Sequence, residues 1–388
     1  MSRQRDSIQT RTVRAALETD TQHGAVVPPI HLTSTFAFSG YGEKREYDYS
    51  RSGNPTRDAL GRALADLEGG AGAVVTASGM GAVSLVTQFF RPDQVAVVPH
   101  DCYGGTYRLF NALNLRGALQ VRFVDFQDTQ ALHAAIDAKP ALVWIETPSN
   151  PLLRIVDVAA VAGRAKAAGA LVVADNTFLS PVWQRPLELG ADLVIHSTTK
   201  YLNGHSDVVG GAVIAGTPEL HEQARWWGNC IGVTGAPFDS FLTLRGLRTL
   251  HARMKAHGEN AQRVAELLAR HPAVAKVYYP GLANHPGHEI AKRQQHGFGA
   301  MVSFELVGGI DRVKAFIDNV QLFSLAESLG GVESLVAHPA SMTHAAMDEA
   351  ARKRAGLSDT LMRLSIGIEQ GDDLLRDLTT GLDAARAR

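Results

Sequence analysis

The chain of 388 residues is short of cysteine, with Cys102 and Cys230 its only two. Two thiols cannot build a disulfide framework and lack the paired spacing of a zinc site, so both are expected to be reduced. Charge of one sign is also missing. The formal net charge is -1 and no long basic block occurs, which removes the electrostatic footprint of a nucleic-acid binder. No apolar run approaches the length needed to cross a bilayer, so no membrane partner is expected. The start, Met1 to Asp6, is polar and charged where a signal peptide would turn apolar, and the expected location is the cytoplasm. No internal repeat and no low-complexity tract is present, which excludes a solenoid. What remains is ordinary globular composition, 45% hydrophobic and 20% charged. A chain of this length exceeds one compact core, so two domains or three segments are expected.

Residues 1–60 are irregular, broken by Pro28, Pro29 and Pro55 and by several glycines, and read as an arm. From Leu64 onward short apolar runs alternate with alanine-rich helical stretches. The runs are Ala73 to Ala77, Val95 to Val98, Val121 to Val124, Leu142 to Ile145, Leu171 to Ala174 and Leu193 to Ile195. That alternation predicts an α/β fold, a mainly parallel sheet with helices on both faces, over residues 61–250. Past Trp226 a longer helical pattern carries Leu242, Leu244, Leu247 and Leu250, and a domain boundary is expected near Leu250. Residues 251–388 read as a smaller α+β domain, with strands such as Met301 to Leu306 and Leu361 to Ile366 and a helix over Asp372 to Ala384.

Ligands of an open parallel sheet bind beyond the carboxyl ends of its strands, so polar residues that directly follow apolar runs are candidates. Three such ends stand out. Leu171 to Ala174 runs into Asp175-Asn176-Thr177, Leu193 to His196 into Ser197-Thr198-Thr199-Lys200, and Val74 to Ala77 into Ser78-Gly79-Met80-Gly81. Glycines at a helix start let backbone N–H groups approach an anion, which the helix dipole also favours. The hydroxyls of Ser197 and Thr199 add donors, Asp175 supplies a carboxylate, Lys200 an amine and Tyr103 a ring able to stack. Singly, each has an ordinary explanation: a tight turn for Gly79-Met80-Gly81, an N-cap or Asx turn for Asp175-Asn176, a solvated lysine for Lys200. Their joint arrival at successive strand ends tips the balance to a site. A fourth element is Arg363 within Leu361 to Ile366. Alternation sets Arg363 and Ser365 opposite Met362, Leu364 and Ile366, either as a bidentate carboxylate clamp or as an exposed strand face.

Histidine is plentiful, yet His196, His205, His285, His288 and His344 form no spaced ligand motif, and no metal is expected. The run His100-Asp101-Cys102 is discounted as a nucleophile dyad because sequence neighbours seldom form one.

Taken together these residues resemble the Cys/Met-metabolism family of pyridoxal-phosphate enzymes, over nearly the whole chain. The strongest match is the run Ser197-Thr198-Thr199-Lys200-Tyr201-Leu202-Asn203-Gly204-His205-Ser206-Asp207. The resemblance implies the type I, aspartate-aminotransferase-like fold, pyridoxal 5′-phosphate carried on Lys200, and a homotetramer built as a dimer of dimers. It gives the arm a purpose, with Tyr49 and Arg51 reaching the cofactor phosphate of a neighbouring subunit. It assigns Gly79, Met80, Ser197 and Thr199 to the phosphate cup, Asp175 to the pyridine nitrogen, Tyr103 to ring stacking and proton transfer, and Asn150, Glu327, Ser328 and Arg363 to the substrate.

Within that family, Gly105 stands where methionine γ-lyases usually carry cysteine, and Glu327 where β-lyases carry an aromatic residue. The resemblance therefore implies a cystathionine γ-lyase or a cystathionine γ-synthase. Enterobacterial-type synthases carry a second arginine where this chain has Ser52, and that departure gives elimination the weight. The segments Pro99 to Tyr107 and Pro148 to Asp157 resemble bacterial γ-synthases, so replacement stays as the alternative and both activities in one site as a third. A catalytically silent cofactor-binding regulator is the rival from another class.

Overall fold

A computed structural model describes residues 6–342 and 356–388. The first five residues of the arm and His344 lie outside them. Seven strands form the first sheet: β1 Gly72–Thr76, β2 Val95–Pro99, β3 Gln120–Val124, β4 Leu142–Glu146, β5 Leu171–Asp175, β6 Leu193–His196 and β7 Gly211–Ala215. Their spatial order is β1-β7-β6-β5-β4-β2-β3. The pairs β2–β3, β2–β4, β4–β5 and β5–β6 are parallel, whereas β7 runs antiparallel to β6 and β1. The six runs read from sequence are all strands of this sheet. The seventh, β7, is a correction: Gly-Ala-Val-Ile-Ala is a short buried run that follows β6 with no helix between them, so the alternating pattern does not reveal it.

The middle strands are covered on both faces, so they read as continuous apolar runs. One helical layer packs Ala82, Leu85, Phe110 and Leu113 against Val98, Trp144 and Ile195; the other packs Ile136, Val161 and Ala165 against Val97, Val143 and Val172. Strand alternation directs these side chains to opposite faces. Helix Pro55–Glu68 follows the arm because Asn54 accepts from the N–H groups of Thr56 and Arg57, with Pro55 at the first helical position. Gly69, at φ 77°, ends it.

The second sheet has strands β8 Val274–Tyr278, β9 Met301–Leu306, β10 Ser324–Leu325, β11 Leu335–Ala337 and β12 Leu361–Ser365, ordered β10-β11-β12-β9-β8. The C-terminal helix Gly371–Ala387 covers it with Leu374, Leu378 and Leu382. Helices Pro237–Leu247 and Leu250–Arg270 join the two regions. One apolar cluster runs through both: Leu64, Val194, Tyr201 and Leu202 from the first sheet's side pack in the same cluster as Leu244, Met254, Val302, Leu364 and Ile366.

Candidate active site

The carboxyl ends of β4, β5 and β6 lie side by side, with Glu146 opposite Asp175 and Asp175 opposite Ile195 in register. Residues that leave these strands therefore share one edge of the sheet. Lys200 sits one turn past β6, largely buried, and its Nζ donates to Ser328 Oγ at 2.7 Å. Burial, then the nearby Arg363 guanidinium, lowers its ammonium to about 8, with Glu327 pulling the other way. A lysine so placed is neutral for a sizeable part of the time near neutral pH, as nucleophilic and basic lysines require.

Arg363 reaches the same place from the second sheet. The strand is buried on both faces, so the exposed-face reading fails: Arg363 is 3% exposed. Its Nη1 donates to Asn150 Oδ1 at 2.9 Å and its Nη2 to the carbonyl of Ser328 at 3.0 Å, while Nε has no partner among the described residues. Burial lowers the guanidinium to about 10. Ser328 thus joins lysine and arginine, and does so from φ 92°, a conformation costly for a residue with a Cβ and characteristic of sites that the surroundings hold in place. Glu327, exposed beside it, acts electrostatically on both Lys200 and Arg363.

The anion cradle is assembled from the other two strand ends. Ser78 caps helix Gly79–Thr87 by accepting from Gly81 N at 3.0 Å, which leaves the helix start open. Gly79 packs on Ser197 so closely that a Cβ there would lie 2.8 Å from the Ser197 Cβ, so only glycine allows the approach. Ser197 N donates to Thr177 Oγ1 at 2.9 Å, and Thr199 Oγ1 is held by the backbone of Gly210, accepting from its N–H at 3.0 Å and lying 3.2 Å from its carbonyl. Asp175 accepts from Thr177 N at 3.0 Å. Burial pushes its carboxyl up, while the Thr177 donors and His196 pull it down.

Tyr103 begins helix Gly104–Leu115 and is 46% exposed, a ring with an open face. Gly105 makes room for it: a Cβ there would lie 2.6 Å from Tyr103 Cε1 and 2.8 Å from Met80 Sδ. Beneath it lies Glu146, a residue that the strand-end argument from sequence did not single out. Glu146 accepts from Tyr103 N at 2.8 Å, and its own burial and the adjacent Asp175 push its carboxyl well up. Its signal is present, because Leu142 to Ile145 is an apolar run that ends in a carboxylate. Cys102 is buried, with its thiol pushed up by burial and by Glu146, Asp101 and Asp175, which removes it as a nucleophile.

Tyr49 and Arg51 are not brought to this place. Arg51 lies over the Tyr49 ring at 5.3 Å and donates through Nε to Asn229 Oδ1 at 3.0 Å. Arg51 lines a cleft of about 630 Å3 shared with Arg57, Asp58, His221 and Arg225, whose walls include β1 but not Lys200. Among the described residues no group of three or more His, Cys, Asp or Glu side chains is placed to hold a metal, and no helix is long and apolar enough to cross a membrane.

An open α/β sheet whose strand ends converge a desolvated lysine, a carboxylate and a hydroxyl-lined helix start defines an enzyme that works through an anionic, lysine-bound cofactor. The chain belongs to the Cys/Met metabolism PLP-dependent enzymes, whose family model matches residues 9–383. Pyridoxal phosphate is therefore its cofactor, and the residues present fit it: the glycine-lined cradle suits a phosphate, and the Lys200 amine and Asp175 carboxylate lie within one edge of the sheet. The fold is the type I class of such enzymes. Over 377 residues and 97% of this chain, it is 58% identical to the cystathionine gamma-synthase of Escherichia coli (strain K12), covering 98% of that protein. Over the same length and share of this chain it is 50% identical to the cystathionine beta-lyase of Coxiella burnetii and 47% to the cystathionine gamma-lyase of Dictyostelium discoideum, covering 97% of each. The crystal structure of cystathionine gamma synthase from Xanthomonas oryzae pv. oryzae in complex with cystathionine superposes with a TM-score of 0.97 at 61% identity, over 98% of this chain and 99% of that one.

Proposed function

We propose that the chain acts at the γ carbon of L-cystathionine, releasing L-cysteine, 2-oxobutanoate and ammonia. The observation that carries this reading is the chain of contacts from Lys200 through Ser328 to Arg363 and Asn150, with Glu327 beside it. Arg363 grips the substrate α-carboxylate as a planar fork, its position fixed by Asn150 and by the Ser328 carbonyl. Glu327 holds the distal ammonium of cystathionine by its opposite charge. When bound, pyridoxal phosphate supplies a protonated ring that withdraws electron density from the substrate's α carbon. Asp175 would face the ring nitrogen, Tyr103 would stack on the ring, and Gly79, Met80, Ser197 and Thr199 would hold the phosphate. Lys200, neutral in part near pH 8, takes the α proton and returns a proton to the carbon skeleton, steered by its hydrogen bond to Ser328. Tyr103 delivers a proton to the departing sulfur.

Replacement of an acyl group on homoserine by cysteine, the γ-synthase reaction, is a second reading. It is favoured by the 58% and 61% identities to γ-synthases against 47% to a γ-lyase. The two share their steps as far as departure of the γ substituent; then either a proton or a thiolate reaches Cγ, and in elimination hydrolysis by water finally frees 2-oxobutanoate and ammonia. Incubating cofactor-loaded protein with L-cystathionine alone separates them. Release of 2-oxobutanoate with cysteine establishes elimination; pyruvate with homocysteine overturns the role of Glu327; no keto acid, together with cystathionine formed from O-succinylhomoserine and cysteine, assigns the synthase.

The arm acts in a second copy of the chain. Val26, Leu32, Phe38 and Tyr41 are exposed along it, and Tyr49 and Arg51 stand clear of their own Lys200. A pair of chains that exchange arms, and two such pairs in a tetramer, use these groups to complete each phosphate site. The three segments, residues 1–60, 61–250 and 251–388, then divide as arm, cofactor domain and substrate-gripping domain.

A further inference from the structure

Directly behind the strand ends that carry Asp175 and Ser197 lies a polar pair that the chemistry above leaves unused. His196 Nε2 and Glu68 Oε1 are 2.5 Å apart, with side chains 1% and 0% exposed. The same Glu68 oxygen accepts from Asn176 Nδ2 at 2.9 Å, and Asn176 also donates to the Gln184 carbonyl at 2.7 Å. Asn176 is the residue after Asp175, and His196 the residue before Ser197. One carboxylate, at the end of helix Pro55–Glu68, therefore ties the tip of β5 to the tip of β6. Their backbones are joined at the same level, where Asn176 N donates to the Ile195 carbonyl at 3.0 Å.

Such a pair is a poor way to gain stability. Burying a carboxylate and an imidazole costs desolvation that apolar side chains of similar size would avoid. The surroundings could supply those, since Leu64 and Val194 on the same elements belong to the apolar cluster that fills this space. Here the pair also leaves Glu68 Oε2 and His196 Nδ1 without hydrogen-bond partners among the described residues. His196 also favours the ionised form of Asp175 electrostatically.

We propose that Glu68 and His196 are positioning residues for the cofactor ring: Glu68 locks the ends of β5 and β6 together and keeps His196 beside the strand that presents Asp175. Asp175 is thereby held at the position from which it meets the ring nitrogen. This rests on the reading of Asp175 as the ring-nitrogen partner, and the experiment separates the two. Wild type, Glu68→Gln, Asp175→Asn and the double variant are stripped of cofactor and titrated with pyridoxal phosphate. Affinity and the visible absorption band of the bound cofactor are followed, with the melting temperature of each stripped protein as the measure of fold.

Glu68→Gln weakens cofactor binding about tenfold and shifts the band; in the Asp175→Asn background the same change has less than about twofold effect, because coupled groups do not add. Equal effects in both backgrounds, or an altered melting temperature with unchanged affinity and band, make the pair structural and overturn the proposal. An Asp175→Asn protein with wild-type affinity and band overturns the reading of Asp175 instead. Should Glu68→Gln not fold, His196→Gln, which keeps a donor for Glu68 and removes the imidazole, carries the same comparison.

Discussion

Lys200 and Arg51 mark two regions built to different standards. Around Lys200 the polar neighbours Ser328 and Arg363 are drawn from a distant part of the chain, and the side chains are buried enough to shift the titration of Lys200 and Arg363. Around Arg51 the groups are wet: its guanidinium finds one asparagine and the face of a tyrosine that is 47% exposed, at the mouth of an open cleft. One region is closed by folding; the other, on the arm exchange proposed above, is closed by a second copy. The contrast teaches that the surroundings of Lys200 are set within the chain, whereas the proposed contribution of Arg51 to cofactor retention requires a partner.

The largest effect that tests this contrast is on the finished side. Lys200→Ala removes turnover below detection while the melting temperature of the cofactor-free protein moves little; near-wild-type activity in that variant would falsify the assignment. On the unfinished side, Arg51→Ala raises the cofactor dissociation constant about tenfold to a hundredfold, the weight of a charge-assisted phosphate contact. Spectroscopic titration measures it, and unchanged affinity there would show that the arm does not complete a phosphate site. A pH series sharpens the finished side further. Only neutral Lys200 attacks the cofactor aldehyde, so capture by the stripped protein rises about tenfold per pH unit towards 8 and flattens above it. Stability moves with the proton too: folded Lys200 releases it near 8, the unfolded residue near 10.5, so the cost of burying Lys200 is fully present below 8 and recovered as pH rises to 10.5. A rate that still climbs at pH 9 and 10 would mean the amine is not desolvated. Smallest is Asn54→Ala, which removes the cap that fixes the arm to helix Pro55–Glu68 and costs about 1 kcal/mol in chemical denaturation; no measurable loss would mean that the arm is held elsewhere.

Much of the site is legible in the order of the residues alone. Asp175, Ser197 and Lys200 follow apolar runs, and an open parallel sheet puts such residues at its ligand edge whatever the details of packing. Glu146 obeys the same rule, and attention to the whole set of runs finds it. Other features belong to tertiary packing. Nothing in Leu361 to Ile366 says that both faces are covered: the helices Leu250–Arg270 and Gly371–Ala387 pack with Met362, Leu364 and Ile366, and Arg363 is buried on the opposite face against Asn150 and the Ser328 loop. The left-handed conformation of Ser328 is likewise invisible, because its residue type does not demand it; the loop is held there by Lys200 and Arg363 from two different sheets. Strand β7 is hidden because the alternation of strands and helices breaks where the chain turns back.

The apolar cluster common to both sheets has a further consequence. Tyr201 and Leu364, each the next residue after Lys200 and Arg363 respectively, are members of the same packed block. The amine and the guanidinium are therefore two fixed posts on one frame, and their spacing is set when the protein folds. On the roles proposed above, an arriving amino acid is gauged against that spacing at its first carbons, and the rest of its length meets the exposed groups around Tyr103 and Glu327. Selectivity among sulfur amino acids is then tuned at the rim, where a substitution leaves the posts standing.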